Sequence, residues 1–173
     1  MKFFLLLLLL YCDSSFGQNN SMNSNMNLQS ILNIVYLNKD GDNLLSDATI
    51  KRYDRNRIKL FYILHGEKTL VNNVWSKIPN GFLVVEDNPC RLEVLFNIGA
   101  KEDLVEIKDG VETGVSNTII EINDTIIDKV KLEWEKSSTY LLITKAWYNG
   151  FLVYDVKNNI NGLKGMDGFV VQR

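Results

Sequence analysis

From Thr125 to Lys136 the chain reads TIIDKVKLEWEK. Ile126, Val130, Leu132 and Trp134 share one parity, and Lys129, Lys131, Glu133 and Glu135 share the other. A period of two belongs to a strand, whose successive side chains point to opposite faces, whereas a helix would scatter these residues around its circumference. One apolar and one charged face is the mark of an antiparallel sheet packed on one side and wetted on the other. The next segment, TYLLITKAWY-NG-FLVYDV from Thr139 to Val156, reads as a long hairpin. Asn149-Gly150 supplies the positive φ angles that a two-residue type I′ turn needs. Continued alternation puts Leu141, Ile143, Trp147, Leu152, Tyr154 and Val156 on its inner face. Tyr140, Tyr148 and Phe151 then lie outside.

The rest of the chain follows the same grammar. Ile31–Leu37, Ile58–Leu64, Thr69–Trp75, Gly81–Glu86 and Cys90–Ile98 are apolar runs bounded by turn residues. His65 to Lys68 reads as a four-residue hairpin loop, and Asp109-Gly110 as a two-residue turn between LVEIK and VETGV. Thr118–Ile122 and the terminal GFVVQR are further strands. Asp47–Arg57 has room for one helical turn, and no segment keeps a helical period over ten residues or more. Roughly nine to eleven short strands with frequent turns predict an all-β fold. The expected architecture is an antiparallel β-sandwich, Ig-like or transthyretin-like, or an open barrel.

The N-terminus has a different character. Lys2 precedes an unbroken apolar run from Phe3 to Tyr11, far shorter than the ~20 residues that span a bilayer. This is the pattern of a secretory signal peptide over residues 1–17. Ser15 and Gly17 are the small residues that cleavage before Gln18 requires. Cys12, directly after the apolar run, is the competing candidate for lipidation, with the bulky Tyr11 before it. Residues 18–29, rich in Asn and Ser, predict a flexible tether, and residues 30–173 one β-rich domain. The net charge is −2 and no basic cluster occurs, so nucleic acid is not an expected partner. A membrane enters only through a lipid anchor. Cys90 is the one thiol left in the folded region, so no internal disulfide is expected.

Few residues suggest chemistry. In LNKDGDNLLSD, Leu37–Asp47, Asp40 and Asp42 occupy the third and fifth positions of a calcium loop begun at Asn38. Asn43 stands where that loop needs Gly, and Thr49 where it needs a bidentate Glu. A tight turn, with Leu44-Leu45 docking on the core edge, is the preferred reading. His65 is the only histidine and falls in a hairpin loop. Cys90 falls on the apolar parity of its strand, as a core thiol does. Glu133 and Glu135 share a strand face, as a glycosidase pair would, but so do Lys129 and Lys131. No catalytic residue, cofactor or metal is assigned beyond the calcium candidates Asp40 and Asp42. Tyr148 and Phe151, flanking the hairpin turn as cross-strand neighbours, are the candidate ligand patch.

Two stretches together carry a resemblance: the D-G-D-N-L-L turn at Asp40–Leu45 and the W-Y-N-G hairpin at Trp147–Gly150. Between them come the IKLFYIL-HGEK hairpin and the Asp124-Thr125-Ile126 strand start. This order, covering most of residues 30–157, resembles small exported proteins and lipoproteins of Bacteroidota. The resemblance implies a β-rich cell-envelope protein and carries over no catalytic residues. The expectation is a non-enzymatic exported β-sandwich that binds a protein or glycan or serves a structural role. The alternatives are a small carboxylate-dependent hydrolase or a calcium-stabilised surface module.

Overall fold

The computed structural model describes Asn27, Leu28 and residues 30–74 and 77–173. The expected signal peptide (1–17), Cys12 and most of the expected tether lie outside these residues, as does Trp75. Thirteen strands occur among the described residues. In chain order they are β1 (Asn27–Leu28), β2 (Ile31–Leu37), β3 (Lys59–Leu64), β4 (Glu67–Leu70), β5 (Phe82–Val85) and β6 (Arg91–Leu95). There follow β7 (Leu104–Lys108), β8 (Val111–Ile122), β9 (Ile126–Lys136), β10 (Tyr140–Tyr148), β11 (Phe151–Asp155), β12 (Ile160–Asn161) and β13 (Gly168–Gln172). They form an all-β sandwich of two sheets. The larger has nine strands in the order β12-β11-β10-β9-β8-β3-β4, with β1 beside β10 and β7 beside β8. The smaller runs β13-β2-β6-β5.

The core lies between the sheets. Leu60, Ile120, Ile122, Val130, Leu132 and Ile143 from the large sheet meet Leu32, Ile34, Leu92, Val94 and Phe169 from the small one, each at most 1% exposed. Twelve of the largest side chains, Trp134, Tyr36 and Leu45 among them, are fully buried, and at about 1.5–3 kcal/mol each they make burial the dominant stabilising term. The alternation expected for β9 holds along its length, since its burial reads B-e-B-e-B-i-B from Asp128 to Trp134.

Several elements differ from the sequence reading. VETGV and Thr118–Ile122 are one strand, β8, because Ser116 and Asn117 keep the alternation between them. The hairpin after β3 closes through His65-Gly66 alone, with φ of 53° and 81°, and Leu64 pairs with Glu67. Its two-residue turn matches the strand twist better than the four-residue loop expected. Thr69–Trp75 is therefore not a strand over its length; the strand here is Glu67–Leu70. Asn27 and Leu28 pair in parallel with Tyr140 and Leu141, so the end of the expected tether belongs to the large sheet. The helical expectation in Asp47–Arg57 reduces to a 3-10 turn at Arg55–Arg57, capped by the Asp54 carboxylate accepting from the Asn56 amide.

The sandwich is also not purely antiparallel, because β13 pairs with β2 in parallel from Gly168–Asn33 to Gln172–Leu37. Gly168 makes that pairing possible. A Cβ there would run into the carbonyl of Asn33, so only glycine lets the strands approach. Arg173, just beyond β13, is thereby brought against the open end of the core, where its backbone amide donates to Leu37 O (2.8 Å).

A candidate ligand-binding groove

The calcium loop resolves as a side-chain-stapled turn. Asn38 Oδ1 accepts from the amides of Asp40 (2.9 Å) and Asp42 (2.8 Å), and Asn38 Nδ2 donates to Asp42 Oδ2 (2.9 Å). Asn43, in the position that a calcium loop gives to glycine, donates to Cys90 O and accepts from the Leu45 amide. Leu44 and Leu45 are buried. Asp42 is thus committed to the turn, and no cluster of three or more His, Cys, Asp or Glu side chains suited to a metal occurs among the described residues.

His65 is exposed in its turn. Cys90 is buried, and burial pushes its thiol pKa up, away from the nucleophilic thiolate. Glu133 lies 3.3 Å from Lys145 Nζ, and Glu135 3.8 Å from Lys157 Nζ. These carboxylates face outward among lysines.

The last hairpin departs most from uniform alternation. β10 pairs with β9 as Ile143–Trp134 and then as Lys145–Glu133, which leaves Thr144 as an extra residue. This is a β-bulge, and one extra residue exchanges the faces of everything beyond it. A second extra residue, Val153, sits on β11 opposite the Ala146/Trp147 step. Buried positions on β10 are accordingly Ile143, Ala146 and Tyr148. Tyr148 packs in the core with its ring 5.6 Å from that of Phe169, and cannot serve as an outer ligand platform. Its register partner Phe151 is 76% exposed at the hairpin tip. The expected patch of Tyr148 with Phe151 is therefore reduced to Phe151. Leu152 and Val156, expected inside, are exposed.

The aromatic side chain that the bulge turns outward is Trp147. Its register partners on the two sides are Lys131 and Leu152, and Lys131 in turn pairs with Asn117. In the neighbouring row Ile119 pairs with Lys129 and with Phe61. Trp147, Lys131, Asn117, Ile119 and Lys129, with Ile63 and Gly150, line an open groove of about 560 Å³ on the face of the large sheet turned away from the core. The size suits a few sugar rings or a short peptide, within the ~300–1,000 Å³ usual for small-ligand sites. Trp147, Ile63 and Ile119 are half-buried, whereas Lys129, Lys131 and Asn117 are exposed. Lys131 Nζ stands 4.8 Å and Lys145 Nζ 5.8 Å from the Trp147 ring centre, within cation–π range.

The groove rests on a buried polar cluster that the sequence reading passed over. Asp128 lies on the apolar parity of β9 and is fully buried. It accepts from the Tyr36 hydroxyl (3.3 Å), from Asn149 Nδ2 (3.3 Å) and from the Arg173 guanidinium. Arg173 also donates to the Tyr148 hydroxyl (2.7 Å). Burial, and then the neighbouring acidic groups, hold Tyr36 and Tyr148 well above the ordinary tyrosine pKa, so both hydroxyls are neutral at physiological pH. Asn149 Oδ1 accepts from the Lys129 amide, and the Asn149 amide donates to Lys129 O, each at 2.8 Å. The turn after Trp147 is in this way fastened to the strand carrying Lys129 and Lys131.

Both residues left a signal in the sequence. Uniform alternation would have placed Lys145 in the core beside Ile143 and Trp147, and that misfit marks the bulge. A carboxylate in phase with Ile126, Val130 and Leu132 marks a buried charge that needs a partner.

Comparison with known proteins gave no family model, no curated protein and no solved structure that matches this chain.

Proposed function

We propose that this chain is an exported, non-enzymatic binding module of the cell envelope, and that the Trp147 groove is its ligand site. The observation that carries the reading is a half-buried tryptophan in an open 560 Å³ groove on the sheet face where Asn117, Lys129 and Lys131 are exposed. Isolated exposed apolar side chains need no explanation, but a contiguous aromatic and aliphatic depression rimmed by polar groups marks a binding surface. The export pattern of residues 2–17 and the resemblance to envelope proteins supply the compartment. The hydrolase alternative gains no support from Glu133 and Glu135, whose carboxylates are engaged by lysines. The calcium alternative gains none from Asp42, which is bound by Asn38.

Binding of the mature chain to an array of glycans and peptides, compared with Trp147→Ala, tests the reading. Wild type should retain ligands that the variant loses at an unchanged melting temperature. Equal retention by both proteins would remove the groove from the function.

A further inference from the structure

The charges in the groove narrow the ligand class. Both charged side chains that line it, Lys129 and Lys131, are cations. The nearest acids on the same face are already engaged, Glu133 by Lys145 (3.3 Å) and Glu121 by Lys68. Neither Lys129 nor Lys131 has a carboxylate partner among the described residues. Two lysines without a carboxylate partner therefore line the groove, with Lys131 Nζ 4.8 Å from the centre of the indole. Lys129 and Lys131 are two residues apart on β9 and so share its outer face, where one anion in the groove meets two positive charges. On the other side of the ring's row, Ile63 and Ile119 offer an apolar wall, and Asn117 offers a carboxamide that both donates and accepts.

A pyranose ring meets this arrangement point for point. One face of the ring presents C–H groups that pack on an indole. Its edge carries hydroxyls that an amide can bond, and an acidic sugar adds an anion for the ammonium groups. Resting on the reading of the groove as the ligand site, we propose that its ligand is an acidic oligosaccharide. The sugar stacks on Trp147, and its carboxylate or sulfate group is held by Lys131 and Lys129. A wholly apolar ligand would leave both lysines uncompensated. A neutral sugar would leave the positive field unused.

The test uses the mature chain with uronate-bearing and sulfated oligosaccharides, each beside a neutral counterpart (the methyl ester or the desulfated chain), and with single-stranded oligothymidylate. Isothermal titration should show the acidic forms binding at least about tenfold more tightly than their neutral forms, the scale of one charge-assisted hydrogen bond. Added salt should weaken that preference. Which acidic series binds separates carboxylate from sulfate recognition. Lys131→Met, which keeps the aliphatic stem against Trp147, should lose about tenfold for the acidic forms only. Trp147→Ala should lose both forms. Equal binding of acidic and neutral forms, still dependent on Trp147, would overturn the acidic assignment and leave the groove as a ligand site. No Trp147-dependent binding to any sugar would overturn the glycan assignment, and with a blank peptide array the groove as well. Oligothymidylate binding as tight as the acidic sugars would show plain polyanion attraction and also overturn the assignment.

Discussion

Replacing Arg173 by methionine tests how the large sheet's end is held together. Asp128 is 0% exposed and Arg173 29% exposed on their side chains. Removing one member of such a pair leaves a buried carboxylate without its counter-charge, a loss of about 3–5 kcal/mol. The partial exposure of Arg173 lets water reach the vacated position, so the low end applies, about 3 kcal/mol. Methionine preserves apolar contact with the Tyr36 and Tyr148 rings, whose centres lie 6.0 and 5.9 Å from the guanidinium carbon. The charge is thus tested apart from the packing. For a domain of this size the expected fall in melting temperature is about 10 °C. Denaturant unfolding gives the free energy directly, with the m-value unchanged. Asp128→Asn in the Arg173→Met background removes the stranded charge. The double variant should therefore be less destabilised than the sum of the singles by about 2 kcal/mol. A loss below about 1 kcal/mol for Arg173→Met, the value of a surface pair, would refute the reasoning. Full additivity of the two substitutions would refute it too.

Two further outcomes follow from the same packing. Gly114→Ala should cost about 3 kcal/mol, read from the urea midpoint. A Cβ at Gly114 would collide with the indole of Trp134 and the carbonyl of Asp103, and Trp134 is fully buried. Stability should also fall with alkali. Burial raises Tyr62 to about 12, and Tyr36, Tyr53 and Tyr148 are raised as well. Unfolded tyrosines titrate near pH ~10, so above that pH the folded state holds more protons than the unfolded state, and stability declines as pH rises. Below pH ~10 these groups contribute no slope. Urea midpoints measured across this range, with Tyr62→Phe showing a shallower decline than wild type, check the assignment.

The sandwich was legible because its long strands are half-wet, and half-wet strands write their two faces into the sequence. Ile126 to Lys136 is the clearest case, and its alternation survives in full, with the carboxylate of Asp128 on the buried face. The turns at Asp109-Gly110 and Asn149-Gly150 were legible because left-handed backbone favours few residue types, and both pairs have positive φ. Three things were not. The parallel pairing of β13 with β2 joins residues over 130 positions apart, and nothing local encodes that partner. The bulge at Thr144 is a property of two paired strands, and parity read along one of them crosses it unaware. Tyr148 and Trp147 exchanged places for that reason, so a site placed on the outer aromatic was misplaced by one residue. The Asp128–Arg173 contact also needs the tertiary fold, since 45 residues separate the partners.

The short pairing of Asn27 and Leu28 with Tyr140 and Leu141 gives the molecule a direction. The N-terminal segment joins the large sheet at the start of β10, while Trp147 lies seven residues further along the same strand. At ~3.3 Å per residue the two points are about 23 Å apart. A chain held by its N-terminus, through Cys12 or otherwise, would carry the groove at the distal end of a rigid β-strand. Within the described residues that separation is fixed by the hydrogen bonds of the sheet, so the groove and the N-terminal pairing move as one body at opposite ends of β10.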